Sequence, residues 1–161
     1  MSFFAQATPP SKPRTKNIQA VSLLAAGIIA LMAVTQLFTF EDLPAVISGL
    51  WVPGGIAAAQ TIAAVLVVTE VLSLPFLLSL RLSPLFRFVS MLLGWGVAAL
   101  WILLTFWENL MVGTISNSGM LGATIPLPPG WWSVLFSIAL AILVGWASWG
   151  MWPNLKQKSK K

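Results

Sequence analysis

The sequence predicts an all-α polytopic membrane protein, an antiparallel bundle of four transmembrane helices with both termini in the cytoplasm. Of its 161 residues, 58% are hydrophobic and 8% are charged, which leaves too few polar groups to coat a water-soluble domain of this size. The nine Lys and Arg residues are confined to two tails and one short segment between apolar runs. This distribution is typical of membrane topology and not of a basic face that binds nucleic acid.

Four apolar runs are long enough to cross a membrane, and they comprise residues 18–38, 56–80, 85–107 and 131–152. At a rise of about 1.5 Å per residue, each run crosses a hydrocarbon core of about 30 Å. We expect the first run to be a permanent span, because it exceeds the roughly 7 to 15 apolar residues of a signal peptide and lacks a clear A-x-A cleavage site. Pro75 predicts a bend in the second run.

The segments between these runs are predicted to be loops. Residues 40–55 carry two acids, two prolines and a Gly-Gly pair, which favour an exterior loop with a short interfacial helix at 43–50. Residues 81–87 are too few for anything except a tight turn between neighbouring helices. Gly, Ser, Asn and Pro recur through residues 108–130, and we expect a second, longer exterior loop there.

Orientation follows from the basic residues. With four spans, the tails at 1–17 and 153–161 and the turn at 81–87 lie on one side, and every Lys and Arg lies there. The positive-inside rule assigns that side to the cytoplasm, where we expect residues 1–17 to be disordered. Tryptophans are predicted to anchor both interfaces, with Trp51, Trp107, Trp131 and Trp132 outside and Trp146, Trp149 and Trp152 inside.

The composition excludes several kinds of chemistry for this polypeptide acting alone. It contains neither Cys nor His, so thiolate or imidazole metal sites, CxxC redox chemistry and Ser-His-Asp relays cannot be assembled. Phosphate-binding glycine loops and nucleophile motifs are also absent from the sequence. We therefore do not expect an enzyme, a metal site or a resident cofactor.

Glu70 is the one ionisable residue well inside a predicted span, near its middle. Because a charged carboxylate facing lipid costs several kcal/mol, we expect Glu70 to point into the bundle, hydrogen-bonded or protonated. Two interpretations stay open: a group that handles a proton or contacts a ligand, and a neutral acid that fixes helix packing. The polar residues predicted to share its site are Gln36, Ser73, Thr105 and Glu108.

Glu108 has two interpretations as well. With Thr105 it lies on one face of the third span, so both could join Gln36 and the loop acids Glu41 and Asp42 in a polar cluster. The simpler expectation is that Glu108 and the two loop acids are solvated at the interface. Trp95 and Trp101 lie inside the third span, where core or lipid-facing packing is expected and stacking on a quinone-like ring is the alternative.

Small residues four apart predict close helix packing. The pairs are Ala26 and Ala30, Ala59 and Ala63, Gly94 and Ala98, and Ala141 and Gly145.

Part of the chain, from about residue 38 to 107, resembles the DoxX/DoxD and MauE-like superfamily of four-helix bacterial membrane proteins. The resemblance is carried by QLFTF at the end of the first span, the loop FEDLPAVISGLWVPGG, the acid in AAVLVVTEVLSLPFLL, and the basic turn RLSPLFR. It implies an accessory membrane subunit of sulfur or amine oxidation. The chain departs from the family in having Pro75 where glycine is common and in lacking cysteine.

Three functions are compatible with these features. The first is a non-catalytic accessory subunit of DoxX-like type in the cytoplasmic membrane of a bacterium, or an equivalent internal membrane. It would bind other membrane proteins or a quinone-like lipid through a bundle centred on Glu70. The second is a small proton-coupled carrier that uses Glu70, and the third is a purely structural assembly protein. The lipid bilayer is the expected surrounding in each case, and nucleic acid is not an expected partner.

Overall fold

The computed structural model describes residues 13–50, 53–111 and 116–152. The helices are α1 (Lys16–Phe38), α2 (Leu43–Gly49), α3 (Gly55–Leu77), α4 (Pro84–Met111) and α5 (Trp131–Gly150), and the described residues contain no β-strand. Helices α1, α3, α4 and α5 are long and apolar enough to cross a membrane. The prediction of four long apolar helices is therefore confirmed.

The four long helices form a closed ring, because α1 packs on α3, α3 on α4, α4 on α5, and α5 on α1. The short helix α2 lies against α3. Ser22 near the start of α1 donates to the backbone carbonyl of Leu77 at the end of α3. At the same end of the ring, Gly150 of α5 lies so close to Ile18 of α1 that a Cβ on Gly150 would overlap the isoleucine side chain.

Several helix boundaries differ by one to four residues from the predicted ones. Helix α3 ends at Leu77, three residues before the predicted limit, and α5 ends at Gly150. Helix α4 begins at Pro84, because proline is well suited to the first turn of a helix. Arg87 falls where the predicted turn (81–87) and the predicted third span (85–107) overlap, and the structure places it in α4. Its Nη2 donates to the Leu82 carbonyl at 3.4 Å.

Pro75 lies inside α3, where its ring removes one helical N–H donor. Ser90 of α4 compensates for the disturbance: its hydroxyl donates to the Leu72 carbonyl at 2.6 Å and accepts from the Phe76 amide at 3.1 Å. The pairing that the helix would normally make between Leu72 and Phe76 is thus completed by a side chain of the neighbouring helix. Ser90 consequently joins α3 to α4 beside the proline.

Residues 116–130 form a non-helical segment that packs against α1 and α2. The Asn117 side chain organises it by accepting from the amides of Gly119 and Leu127 and donating to the Gly122 carbonyl. Gly122 has φ +71°, and a Cβ there would lie 2.6 Å from the Thr35 carbonyl oxygen. Glycine is needed at this position both for the left-handed backbone and for the close approach to α1.

Candidate functional site

The Glu70 side chain is fully enclosed where α1, α3 and α4 meet, with 0% of its surface exposed. Its Oε1 accepts from Trp101 Nε1 of α4 at 2.8 Å and from Gln36 Nε2 of α1 at 3.3 Å. Gln36 and Trp101 are themselves buried. One carboxyl oxygen on α3 therefore joins two neighbouring helices.

Gln36 extends this centre to the segment after α4. Its Nε2 also donates to the backbone carbonyl of Met120 at 3.1 Å, so the 116–130 segment is bonded to α1 behind Glu70. Two oxygens of the centre, Glu70 Oε2 and Gln36 Oε1, are buried without a hydrogen-bond partner among the described residues. Buried polar atoms normally have partners, so each of these oxygens is a place for a proton, a water molecule or a donor from a ligand.

Close helix packing brings Trp101 to Glu70. Gly94 lies two turns before Trp101 on α4, and a Cβ there would lie 3.4 Å from Val144 of α5 and 3.7 Å from the Ser73 Cβ of α3. The α4 backbone therefore passes near both neighbours, as the Gly94 and Ala98 pair predicts. The short separation lets the long indole of Trp101 reach the carboxyl group across the α3 and α4 interface.

A second buried polar cluster lies at the junction between the end of α4 and the start of α5. Glu108 Oε1 accepts from the Ser133 hydroxyl at 2.9 Å, and its Oε2 is buried without a partner among the described residues. Thr105 lies one turn earlier and donates to the Trp101 carbonyl at 2.7 Å, with the Ser137 hydroxyl 3.4 Å away. The buried residues Trp101, Thr105 and Glu108 thus form one polar face of α4.

The structure brings together only some of the predicted site residues. Gln36 reaches the Glu70 carboxyl group, as expected. Ser73 donates to the backbone carbonyl of Glu70 and not to its side chain. Thr105 and Glu108 belong to the second cluster. The site is therefore two adjacent clusters and not one.

The expectation that Glu108 is solvated was wrong, because its side chain is 1% exposed. Helix α4 continues to Met111, which carries Glu108 into the bundle, where Ser133 supplies a hydroxyl donor. Glu41 and Asp42 are exposed and take no part in either cluster. The expectation that these two acids are solvated agrees with their exposure, and the alternative that grouped them with Gln36 is wrong.

Trp101 is the main site residue that sequence reasoning missed. It was expected to serve as core packing, and it is buried, yet its indole N–H donates the shorter of the two bonds to Glu70. A useful signal would have been its position away from both interfaces, since a buried indole needs an acceptor and Glu70 was available. Trp95 is 52% exposed and donates to Ser148 of α5.

The described side chains of this centre can take part in hydrogen bonding and proton exchange. Within the described ranges, no group of three or more His, Cys, Asp or Glu residues could hold a metal ion. The donors that the structure gives to the Glu70 side chain are an indole and an amide, both neutral. The arrangement is suited to holding helices together or to receiving a small neutral donor.

No protein-family model matches this chain, and no curated protein or solved structure matches it either. The resemblance to DoxX-like proteins therefore stays a prediction.

Proposed function

We propose that this chain is an integral protein of the cytoplasmic membrane of a bacterium, or of an equivalent internal membrane, with four antiparallel spans and cytoplasmic termini. Four long apolar helices support a membrane location, and the one-sided distribution of Lys and Arg supports the orientation. The antiparallel arrangement is supported by contacts that join the start of one helix to the end of the next. Ser22 with Leu77 and Glu108 with Ser133 are two of them.

Within that membrane, the chain is a non-catalytic accessory subunit of DoxX-like type that associates with a redox-linked membrane system. The observation that carries this proposal is the Glu70 carboxyl group, which bonds α1 and α4 and, through Gln36, the 116–130 segment. One buried side chain thus fixes the positions of four parts of the fold. A bundle held in this way presents a defined outer surface for partner proteins, whereas a transport route would require the same centre to open.

A proton-coupled carrier is the second candidate, favoured by the two buried acids and their unpartnered oxygens. The polar face of α4 begins at Trp101, which bonds Glu70, and continues through Thr105 to Glu108. However, Thr105 bonds the backbone carbonyl of Trp101 and not a titratable side chain. A carrier needs polar groups that pass a proton or substrate along a path, so the accessory function is preferred.

The test compares wild type with Glu70→Gln and Glu70→Leu. Each tagged protein is purified from its native membrane in mild detergent, co-purifying proteins and lipids are identified, and growth complementation is measured in parallel. An accessory subunit should co-purify with a membrane partner. Glu70→Gln should still bind the partner and restore growth, because the amide preserves an acceptor for Trp101. Glu70→Leu should lose the partner.

Three outcomes would overturn the proposal. A folded Glu70→Gln protein that fails to restore growth, together with proton movement in vesicles of the purified wild type, would establish the carrier. A fully functional Glu70→Leu protein would remove Glu70 from either role. A partner recovered equally well with both variants would favour a structural assembly protein whose contacts do not depend on this centre.

A further inference from the structure

The start of α1, the turn after α3 and the end of α5 lie side by side at one end of the ring. Ser22 of α1 donates to the backbone carbonyl of Leu77 at the end of α3. In the turn that follows, the Ser79 hydroxyl donates to the sulfur of Met151, the residue after α5, at 3.4 Å. With the proposed orientation, this end lies at the cytoplasmic surface of the membrane.

The described charged side chains at this end are all basic. Those that are exposed are Arg14 and Lys16 at the start of α1 and Arg81 in the turn after α3, and we call these three residues the basic cluster. The acidic side chains of the sequence lie within α3 or at the opposite end of the ring, and they are Glu70, Glu41, Asp42 and Glu108. An acidic group that neutralises the basic cluster therefore has to come from another molecule.

The bond between Ser22 and Leu77 brings the two parts of the basic cluster to one region. Lys16 lies less than two helical turns before Ser22, and Arg81 is four residues after Leu77. The start of α1 and the turn after α3 therefore present their cations on the same part of the surface.

Exposed apolar side chains border these cations. Leu78 and Leu80 come just before Arg81 and are both exposed, and Trp149 and Trp152 at the end of α5 are 75% and 52% exposed. Tryptophan is enriched where the hydrocarbon of a bilayer meets the headgroups. Lys and Arg extend their charged ends to that same depth while their apolar stems lie along hydrocarbon. The basic cluster and its apolar border thus match the two layers of a lipid.

This combination determines the class of ligand. A soluble phosphate compound would neutralise the cations but leave the apolar border uncovered. A zwitterionic lipid would cover the border but would bring an ammonium group beside the cations. An anionic phospholipid carries a phosphate without a neighbouring ammonium group, and its acyl chains belong to the same molecule. Guanidinium groups bind phosphate oxygens in a bidentate manner, and an ammonium group binds them as a point charge.

We propose that the basic cluster binds an anionic phospholipid of the cytoplasmic leaflet, with the phosphate beside Arg81 and the cations of α1 and the acyl chains beside Leu78 and Leu80. Basic residues at this depth are attracted to anionic headgroups, and each contributes to the affinity. This proposal deepens the proposed function, because it names a lipid partner, and it rests on the proposed membrane location and orientation.

The test is native mass spectrometry of the purified full-length protein in a neutral detergent, titrated with dioleoyl phosphatidylglycerol or with dioleoyl phosphatidylcholine. The two lipids have the same chains and differ in net charge. Three cations predict that the first phosphatidylglycerol molecule binds about 10- to 100-fold more tightly than phosphatidylcholine. Glycerophosphoglycerol, the same headgroup without chains, should not displace the bound lipid.

Two variants that each lose three positive charges separate the site from net charge. A triple variant with Arg14→Gln, Lys16→Gln and Arg81→Gln should lose at least 10-fold of the preference for phosphatidylglycerol. Its control carries three substitutions in the basic tail, which are Lys158→Gln, Lys160→Gln and Lys161→Gln. The control should keep the preference of the wild type within about 2-fold. The cluster substitutions replace exposed side chains, and circular dichroism checks that both variants fold.

Equal affinity of the wild type for the two lipids would overturn the proposal, and this comparison needs no variant. Equal losses in the two triple variants would overturn it as well, because net charge alone would then explain the preference. Displacement by glycerophosphoglycerol would show a phosphate site that does not require a lipid. Each of these results leaves the co-purification and growth tests of Glu70 untouched, so failure of the lipid site is distinguishable from failure of the accessory function.

Discussion

Replacement of Glu70 with Leu is expected to destabilise the bundle by about 1 to 2 kcal/mol. The substitution removes the acceptor of the Trp101 indole N–H, which is buried and lies 2.8 Å from Glu70 Oε1. Gln36 loses one of its two bonds but keeps the Met120 carbonyl. The main cost is therefore that one buried donor, the Trp101 indole N–H, is left without an acceptor.

The magnitude combines two general observations. A buried donor without a partner costs about 1 to 3 kcal/mol in soluble proteins. Hydrogen bonds between membrane helices contribute less, about 0.6 kcal/mol on average and up to about 1.7, because the unfolded helices also find partners in the membrane. Since Trp101 is completely enclosed, we expect the upper part of the membrane range. Glu70→Gln keeps an acceptor oxygen and should cost less than half as much.

The assay is unfolding of each variant by titration with sodium dodecyl sulfate in mixed micelles, followed by far-ultraviolet circular dichroism. A double-mutant cycle with Trp101→Phe isolates the pair, because the phenylalanine variant lacks the donor that Glu70→Leu would strand. The cost of Glu70→Leu should fall by about 0.5 to 1.5 kcal/mol in the Trp101→Phe background.

Two results would refute this reasoning. Equal unfolding free energies for wild type and Glu70→Leu would mean that the Trp101 bond contributes nothing to stability. An unchanged cost of Glu70→Leu in the Trp101→Phe background would mean that the loss arises elsewhere in the bundle.

Two pairs of glycine variants test helix packing by the same unfolding assay. Gly94→Leu should lose about 1 to 3 kcal/mol because its added carbons meet α3 and α5, whereas Gly96→Leu faces open space and should change little; equal effects would contradict the packing around Gly94. Gly150→Ala should cost about 1 to 2 kcal/mol because its Cβ would overlap Ile18, while Gly145→Ala has nothing within 4 Å and should be neutral or slightly stabilising. A neutral Gly150→Ala would mean that the ends of α1 and α5 are less closely packed than described.

The four long helices were predictable because hydrophobic length is a strong and local signal in membrane proteins. The residues at which these helices begin and end were less predictable. Helix α4 continues past the predicted limit at 107 to Met111, because Ser133, distant in sequence, supplies the donor that lets Glu108 be buried. A pairing of that kind has no local trace in the sequence.

The candidate site was predictable in its centre and not in its partners. Glu70 stands out because an acid in an apolar run must find donors, and Gln36 was among the few polar side chains in the neighbouring span. Trp101 was hidden because tryptophan is common in membrane helices as packing. Ser90 was equally hidden, since its role depends on the helix interruption at Pro75.

Every proposed function depends on the membrane arrangement, and reporter fusions test that arrangement most directly. Alkaline phosphatase, which is active outside the cytoplasm, and green fluorescent protein, which fluoresces inside it, are fused at residues 5, 118 and 158. Four antiparallel spans with the basic residues in the cytoplasm predict fluorescence at 5 and 158 and phosphatase activity at 118. Phosphatase activity at residue 158, or fluorescence at residue 118, would contradict the arrangement.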